Sequence, residues 1–555
     1  MEIDYTEYVI EDYKDINVLR QQYPEIKFTQ VSNQIYIAQV PEWGKRQLDE
    51  LIQDSQYVQY SHLYGLNADE ALQASGISVF HNYTFGQLRG TGVLIGFVDT
   101  GIDYTNDNFR FEDGSSRIRF IWDQTIDGSP PKEYDFGTEY TKAMLDEALR
   151  ADNPLEIVPT TDDIGHGTYI AGVAGGRDRL GSSGFTGGAP DSEFVVVKMA
   201  PAQQVQRDYY FVKEDVPAYS DGALITGLDY LIHKASELNK PMVICIAVGS
   251  NAGAHNGTNM IERYIRGLTL YPGIIVVTAA GNEANAAHHY KGEVSQNEVK
   301  SVELNVADTE NGFFLHIWSH EVDKLAIGVR TPIGQIIDKV PLSLYKTETF
   351  KFTLQKTEIV VDYVYPESNT GGQLILLRFV APIPGIWRID IYGDYIINGQ
   401  FNMWLPRVGF IETTTRFSEP NISTTVCVPA SDQFNFVVGG YDVIDGSLYA
   451  ASGRGPTVYD ANKPDIIAPC INVTGPWLNN TFINYTGTSV AAAITAGGCA
   501  LLLEWGVVNE NLRTINTRIA RNILCRGADR KVGVVYPDDV EGYGRLNLQD
   551  SFLEL

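Results

Sequence analysis

Basic residues are scarce in this chain. Its 555 residues carry 42 Lys and Arg against 69 Asp and Glu, a formal charge of −27. A surface that acidic repels phosphate backbones and anionic lipid, so nucleic acid is not an expected partner. Cysteine is scarcer still. Cys245, Cys427, Cys470, Cys499 and Cys525 are odd in number, widely spaced and without a C-x-x-C pair, which excludes a disulfide framework and a zinc ribbon. Most lie in apolar stretches such as "MVICIAV" and "AGGCALLL", where a reduced thiol acts as a small core hydrophobe. The N-terminal "MEIDYTEYVIEDYKD" lacks a basic stretch leading into an apolar core, so no signal peptide is expected. The longest apolar run, Val490 to Leu503, is interrupted by Thr495 and two glycines and is too short for a membrane span. A P-loop, a G-x-S-x-G elbow and H-E-x-x-H are all missing. "HIWSH" sets His316 and His320 four apart, but in a strand-like context where they share no helical face.

What is present is ordinary globular composition, 44% hydrophobic and 20% charged, on a chain long enough for a large core with attached modules. Residues 17 to 64 alternate strand and helix patterns, as in "KFTQVSNQIYIAQV" and "EWGKRQLDELIQD", and read as a small α+β unit. "NADEALQASGI" then reads as a short exposed helix in a linker. From Gly92 onward, near-continuous apolar runs each end in a Gly- or Ser-rich turn: "VLIGFVDTG", "EFVVVKMA", "MVICIAVGS" and "GIIVVTAAGN". Such runs suit parallel strands buried on both faces, with helices such as "GALITGLDYLIHKASELN" between them. The expected core is therefore a doubly wound, mostly parallel α/β sheet, with its site outside the carboxyl ends of the strands. Between 293 and 426 the helical pattern gives way to short strands, "VKSVELNV", "KLAIGVR", "QLILLRFV" and "GIWRIDIYG" among them. These predict an inserted all-β, jelly-roll-like domain. The boundaries that follow are 1–66, 67–292, 293–426 and 427–555.

Three polar residues stand at the ends of core segments: Asp99 in "VLIGFVDTG", His166 in "DDIGHGTYIAG" and Ser489 in "TGTSVAAAITAG". Taken singly they are a turn former, a structural histidine and a helix cap. Taken together they supply what a serine nucleophile needs, a base for its proton and an acid to orient that base. Their order, Asp then His then Ser, is the subtilisin order.

"FVDTGID", "GHGTYIAGVAGG", "VVTAAGNE", "KPDIIAPC" and "YTGTSVAAAITAGG" together resemble, in order and spelling, the signature segments of the subtilisin-like serine proteases. The resemblance covers roughly 80–287 and 427–530. It implies Asp99 as orienting acid, His166 as general base, Ser489 as nucleophile and Asn282 as the side-chain donor of an oxyanion hole shared with the Ser489 amide. "CIAVGSNAG" resembles the substrate-lining strand, which implies Ala247, Val248 and Gly249 as substrate contacts. The first 64 or so residues would be a propeptide, cut by the enzyme itself between Tyr60 and Ala71, with Tyr64-Gly65 as the named bond. No cofactor is required; structural calcium, common in the family, has no ligands assignable here, and no metal site is expected. Partners would be a protein or peptide substrate and the propeptide in cis. The missing signal peptide suggests a bacterial cytoplasmic or spore-associated protein, or a released one. The propeptide, the "IWDQTI" segment and the placement of the β insertion resemble the clostridial germination-protease branch. Some members of that branch have lost triad residues and act as signalling pseudoproteases, which is the alternative reading. The segment after Ser489 has Ala493 and Ile494 where the commonest family spelling has Pro and His.

Overall fold

A computed structural model describes residues 5–32, 34–61, 63–66, 74–81, 87–180, 184–344, 346–352 and 356–555. At its centre is an eight-stranded sheet. In spatial order its strands are Ile466–Pro469, Phe436–Tyr441, Ile274–Ala279, Met242–Ile246, Leu94–Asp99, Glu193–Lys198, Ile118–Asp123 and Thr138–Thr141. Every adjacent pair is parallel except the last, at the edge. The apolar runs explain themselves once alternate side chains are sorted by face. Ile95, Phe97, Val243, Cys245, Ile275 and Val277 enter one core with the helices His166–Gly175 and Thr488–Leu503. Leu94, Val98, Met242, Ile244, Ile274 and Val276 enter the other, with Asp221–Leu238 and Met260–Leu268. With both faces covered, no polar alternation is left to see. All five cysteines are free and buried.

The helix Thr488–Leu503 is buried along its whole length. It continues through Glu504–Val508, making 21 residues that are long and apolar enough to cross a membrane, longer than the run Val490 to Leu503 suggests. Eighty-nine per cent of its most apolar window is covered by the rest of the protein, as in a core helix. Small residues make that burial feasible. A Cβ on Gly497 would lie 2.7 Å from both the Ala174 carbonyl oxygen and Gly188 Cα. Glycine there lets the helix approach His166–Gly175 at backbone distance.

The N-terminal unit is a four-stranded antiparallel sheet in the order Lys27–Gln30, Ile35–Pro41, Tyr5–Glu11, Tyr57–Tyr60, with helices Ile16–Gln22 and Lys45–Asp54. The strand Tyr5–Glu11 lies within the expected 1–66 unit but ahead of residue 17, where the alternating strand and helix pattern starts, so it is an addition to that reading. Glu7 and Glu11 disguise it, because both are buried acids with partners on the core rather than a solvated face. The linker stretch 67–73, expected as helix, lies outside the described residues, and a short helix follows at Ser78–His81.

The inserted region folds as two antiparallel sheets. One runs His289–Glu293, Gln400–Trp404, Gly312–Ser319, Leu374–Val380, Thr357–Val364, Glu348–Phe352. The other runs Ile336–Val340, Lys324–Arg330, Gly385–Tyr395, Val299–Val306, Arg416–Phe417. Their inner faces share one apolar core that includes Leu315, Leu377, Phe401, Ile327 and Ile389. This β-domain starts earlier than residue 293, because its first strand follows closely on the Asn282 turn. His316 is buried within a strand while His320 is exposed beyond its end, so the two do not form a pair.

Candidate active site

Asp99 ends its strand, buried, and Oδ1 lies 2.8 Å from His166 Nδ1. A carboxylate only accepts here, so the imidazole carries its proton on Nδ1, the tautomer that a general base acting through Nε2 requires. Oδ1 also accepts from the Thr100 amide at 2.7 Å, and Thr100 Oγ1 accepts from the Gly167 amide at 2.9 Å. These bonds tie the strand end to the helix that carries His166. Asp162 completes the helix start, accepting from the amides of Gly165 at 2.7 Å and Thr168 at 2.9 Å and from Thr168 Oγ1 at 2.7 Å. Among the described residues no group of three or more His, Cys, Asp or Glu is arranged to hold a metal ion.

Ser489 is the second residue of its helix, after Gly487 at φ 152°, a conformation that favours glycine. Its hydroxyl is buried and has no hydrogen-bond partner among the described residues, so the serine and imidazole are not hydrogen-bonded to each other in this state. Catalytic hydrogen bonds of this kind often tighten only in the complex with substrate. The helix N-terminus puts partial positive charge and unpaired amides beside the hydroxyl, where an oxyanion would form. Asn282 is pinned by Thr488, whose amide and hydroxyl donate to Asn282 Oδ1 at 3.1 and 3.2 Å. Thr488 Oγ1 in turn accepts from the Gly281 amide at 3.0 Å. With Oδ1 held, Nδ2 is the remaining side-chain donor, next to the residue that precedes Ser489.

Val248–Gly249 pairs antiparallel with Leu63–Leu66, and Leu63–Leu66 also pairs with Tyr219–Ser220 on its other side. The last strand of the N-terminal unit is thus the middle strand of a three-stranded sheet across the cleft. Gly65 faces Gly249, Leu66 faces Val248 and Tyr64 faces Tyr219. Ala247 is buried and adjoins this pairing without taking part in it.

Thr100, Asp162, Thr488 and Tyr485 escape a reading focused on nucleophile and base. The Tyr485 ring lies 6.1 Å from that of His166 and 5.1 Å from that of Tyr169. An aspartate four residues before a Gly-flanked histidine could have signalled a helix cap, whereas nothing in the spelling of Tyr485 marks it.

Behind Asn282 lies a buried polar network. Glu283 accepts from His288 Nδ1 and Asn251 Nδ2, each at 3.0 Å, and from the Val408 amide at 2.9 Å. Burial alone would raise its carboxyl, but the His288 contact prevails and holds it below the ordinary range. Burial pushes His289 in the other direction for a base, down to about 4, so it is neutral at physiological pH.

An acid, an imidazole and a helix-borne serine at the carboxyl end of a parallel sheet have the order and placement that the subtilisin resemblance implies. The subtilase family model matches residues 90–305 and 411–544, leaving out most of the β-domain. The chain is similar to the CspB protease of Clostridium perfringens, at 32% identity and a TM-score of 0.76, covering 86% of this chain and 97% of that one. It is also 24% identical to the Arabidopsis thaliana subtilisin-like protease SBT3.5 and 22% identical to the PII-type proteinase of Lacticaseibacillus paracasei. Those matches take in 82% and 80% of this chain but 64% and 24% of the relatives' own lengths. The chain belongs to the subtilase family.

Proposed function

We propose that this chain is a serine endopeptidase that cleaves its own N-terminal unit as a propeptide and then a protein substrate. The observation that carries this reading is the strand Leu63–Leu66 lying between Tyr219–Ser220 and Val248–Gly249. A chain threaded antiparallel through that cleft is in the pose of an extended peptide substrate.

Ser489 Oγ attacks the scissile carbonyl while His166 Nε2 takes its proton, and Asp99 stabilises the resulting imidazolium through Nδ1–H. Asn282 Nδ2 and the Ser489 amide hold the oxyanion. Collapse breaks the peptide bond, His166 returns the proton to the leaving amine, and water releases the acyl group by the same steps in reverse. Going from Gly65 to Leu66, the strand heads toward Ala247 and the end of Met242–Ile246, the strand against which the serine helix packs. The proposed cut lies beyond Leu66, within 67–71, a stretch outside the described residues, because Tyr64-Gly65 is inside the paired strand. The likeness to CspB makes a protein the favoured later substrate, and the resemblance to the germination branch suggests a spore-associated setting.

A fluorophosphonate probe tests the enzyme reading. Labelling of Ser489 in the processed protein, with none in Ser489→Ala or His166→Ala, is the expected result. Unlabelled Ser489 in processed, folded protein would leave a signalling pseudoprotease as the better description.

A further inference from the structure

One face of the β-domain meets the core across a cavity that the proteolytic site does not use. Its volume is about 430 Å3, within the usual range for small-molecule sites. Lys291, Asn402 and Trp318 form its floor. They lie opposite one another on three adjacent strands, with Lys291 and Trp318 each paired to Asn402, so their side chains share a face. Gln400, two residues before Asn402, belongs to the same face, while Phe401 and Met403 turn into the sandwich core. The far wall is supplied by the core through Asn256 and the segment Thr457–Asp460. Tyr459 Oη donates to Glu321 Oε1 at 2.9 Å and closes one end.

One polar group here, Asn402, is held in place yet unspent. Asn402 is only 8% exposed, and its Oδ1 accepts from His289 Nε2 at 3.0 Å. That bond fixes which way the amide faces and leaves Nδ2 without a partner among the described residues. His289 is itself held by stacking on Trp404, ring centroids 4.9 Å apart. The side chains of Gln400, Lys291 and Asp460 likewise make no hydrogen bond among the described residues, although each is at the cavity. A buried polar group is normally satisfied, so the Asn402 amide has a ligand's acceptor as its natural complement, and the exposed side chains of Gln400, Lys291 and Asp460 around it are free to add contacts.

The set also describes the ligand. It offers amide donors and acceptors, the Lys291 ammonium, the Asp460 carboxylate, the Glu321 carboxylate already bonded to Tyr459, and the rings of Trp318 and Tyr459. With both signs of charge in the lining, a compact ion of either sign would meet repulsion as well as attraction. A molecule with many hydroxyls, each both donor and acceptor, meets all of them, and the C–H face of a pyranose ring covers an indole. A peptide adding to a sheet would use an open strand edge, whereas these groups lie on a sheet's face. We propose that this cavity between the β-domain and the core binds a neutral glycan of one or two sugar units.

Saturation-transfer NMR and calorimetry on the full chain, with N,N′-diacetylchitobiose and cellobiose at millimolar concentration, provide the test. Binding of either disaccharide is expected. Gln400→Ala and Lys291→Ala, both exposed positions, should each weaken it about three- to tenfold, with unchanged melting and unchanged probe labelling of Ser489. No binding of either sugar, binding indifferent to both substitutions, or displacement of the sugar by trialanine would overturn the proposal.

Discussion

Two modules are attached to the same core, and they are attached by opposite chemistry. The N-terminal unit docks through acids. Glu7 Oε1 accepts from the Gly222 amide at 2.8 Å and Ser61 Oγ at 2.9 Å, and Glu11 receives two bonds from Arg263 at 2.7 and 2.8 Å. The β-domain docks through rings and a paired carboxylate. Trp404 is sandwiched between His255, at 4.3 Å and 8°, and His289, while Glu283 joins Asn251 and His288 to the Val408 amide. Burial raises the Glu7 carboxyl, since nearby hydrogen bonds only partly offset the loss of water. The Glu283 carboxyl is lowered. One attachment therefore takes up a proton as it forms and the other resists one. The first ends in a strand laid through the cleft, and the second braces the turn that carries Asn282.

This contrast can be broken at its strongest point by Glu283→Ala. Removing one partner of a buried, fully bonded charge strands His288, Asn251 and the Val408 amide, at a cost of about 3–5 kcal/mol. Denaturant unfolding of the full chain should show that loss, together with slower probe labelling of Ser489 as the Asn282 turn loosens. A variant as stable as the parent would mean that the brace is elsewhere.

The acid response of the β-domain is the next largest effect. His289 is depressed to about 4 from an ordinary 6.5, so its unfolded form binds a proton that the folded form refuses. Stability is complete above pH 6.5 and declines between there and pH 4, by roughly 3 kcal/mol for this group. Glu283 adds to the loss as pH falls from about 4.5 through its own lowered value. Melting curves across this range should fall with acid and fall less in His289→Phe.

The smallest effect has the reverse sign. A carboxyl raised on docking weakens the docked state when ionised, so the Glu7 contact strengthens as pH drops from neutral through its raised value. Glu7→Gln keeps the acceptor without the charge. It should hold the N-terminal unit more tightly at pH 7.5, by a few-fold, and remove the pH dependence of its dissociation. Tighter docking of the parent at high pH than at low would contradict this.

How much of this was open to reading depended on where each partner lies in the chain. Asp99, His166, Asn282 and Ser489 could be picked out because Asp99 and Asn282 follow apolar strands while His166 and Ser489 open apolar helices, and the sheet was legible from the same runs. The pins were not. Thr488 acts on Asn282 across 206 residues and Glu7 on Gly222 across 215, and no local pattern announces a bond of that span. The strand Tyr5–Glu11 was hidden because its acids, which look like a solvated edge, face the core. In the β-domain, regular strands could be counted, but which face meets the core rests on Trp404, His255 and His289, three residues whose meeting is purely tertiary.

The central claim is that the strand in the cleft is a substrate of the serine beside it. Intact-mass measurement of the purified chain and of Ser489→Ala tests it most directly. Two fragments are expected from the parent, separated by a cut within 67–71, and one uncut chain from the variant. An uncut parent, or the same cut in both, would contradict it.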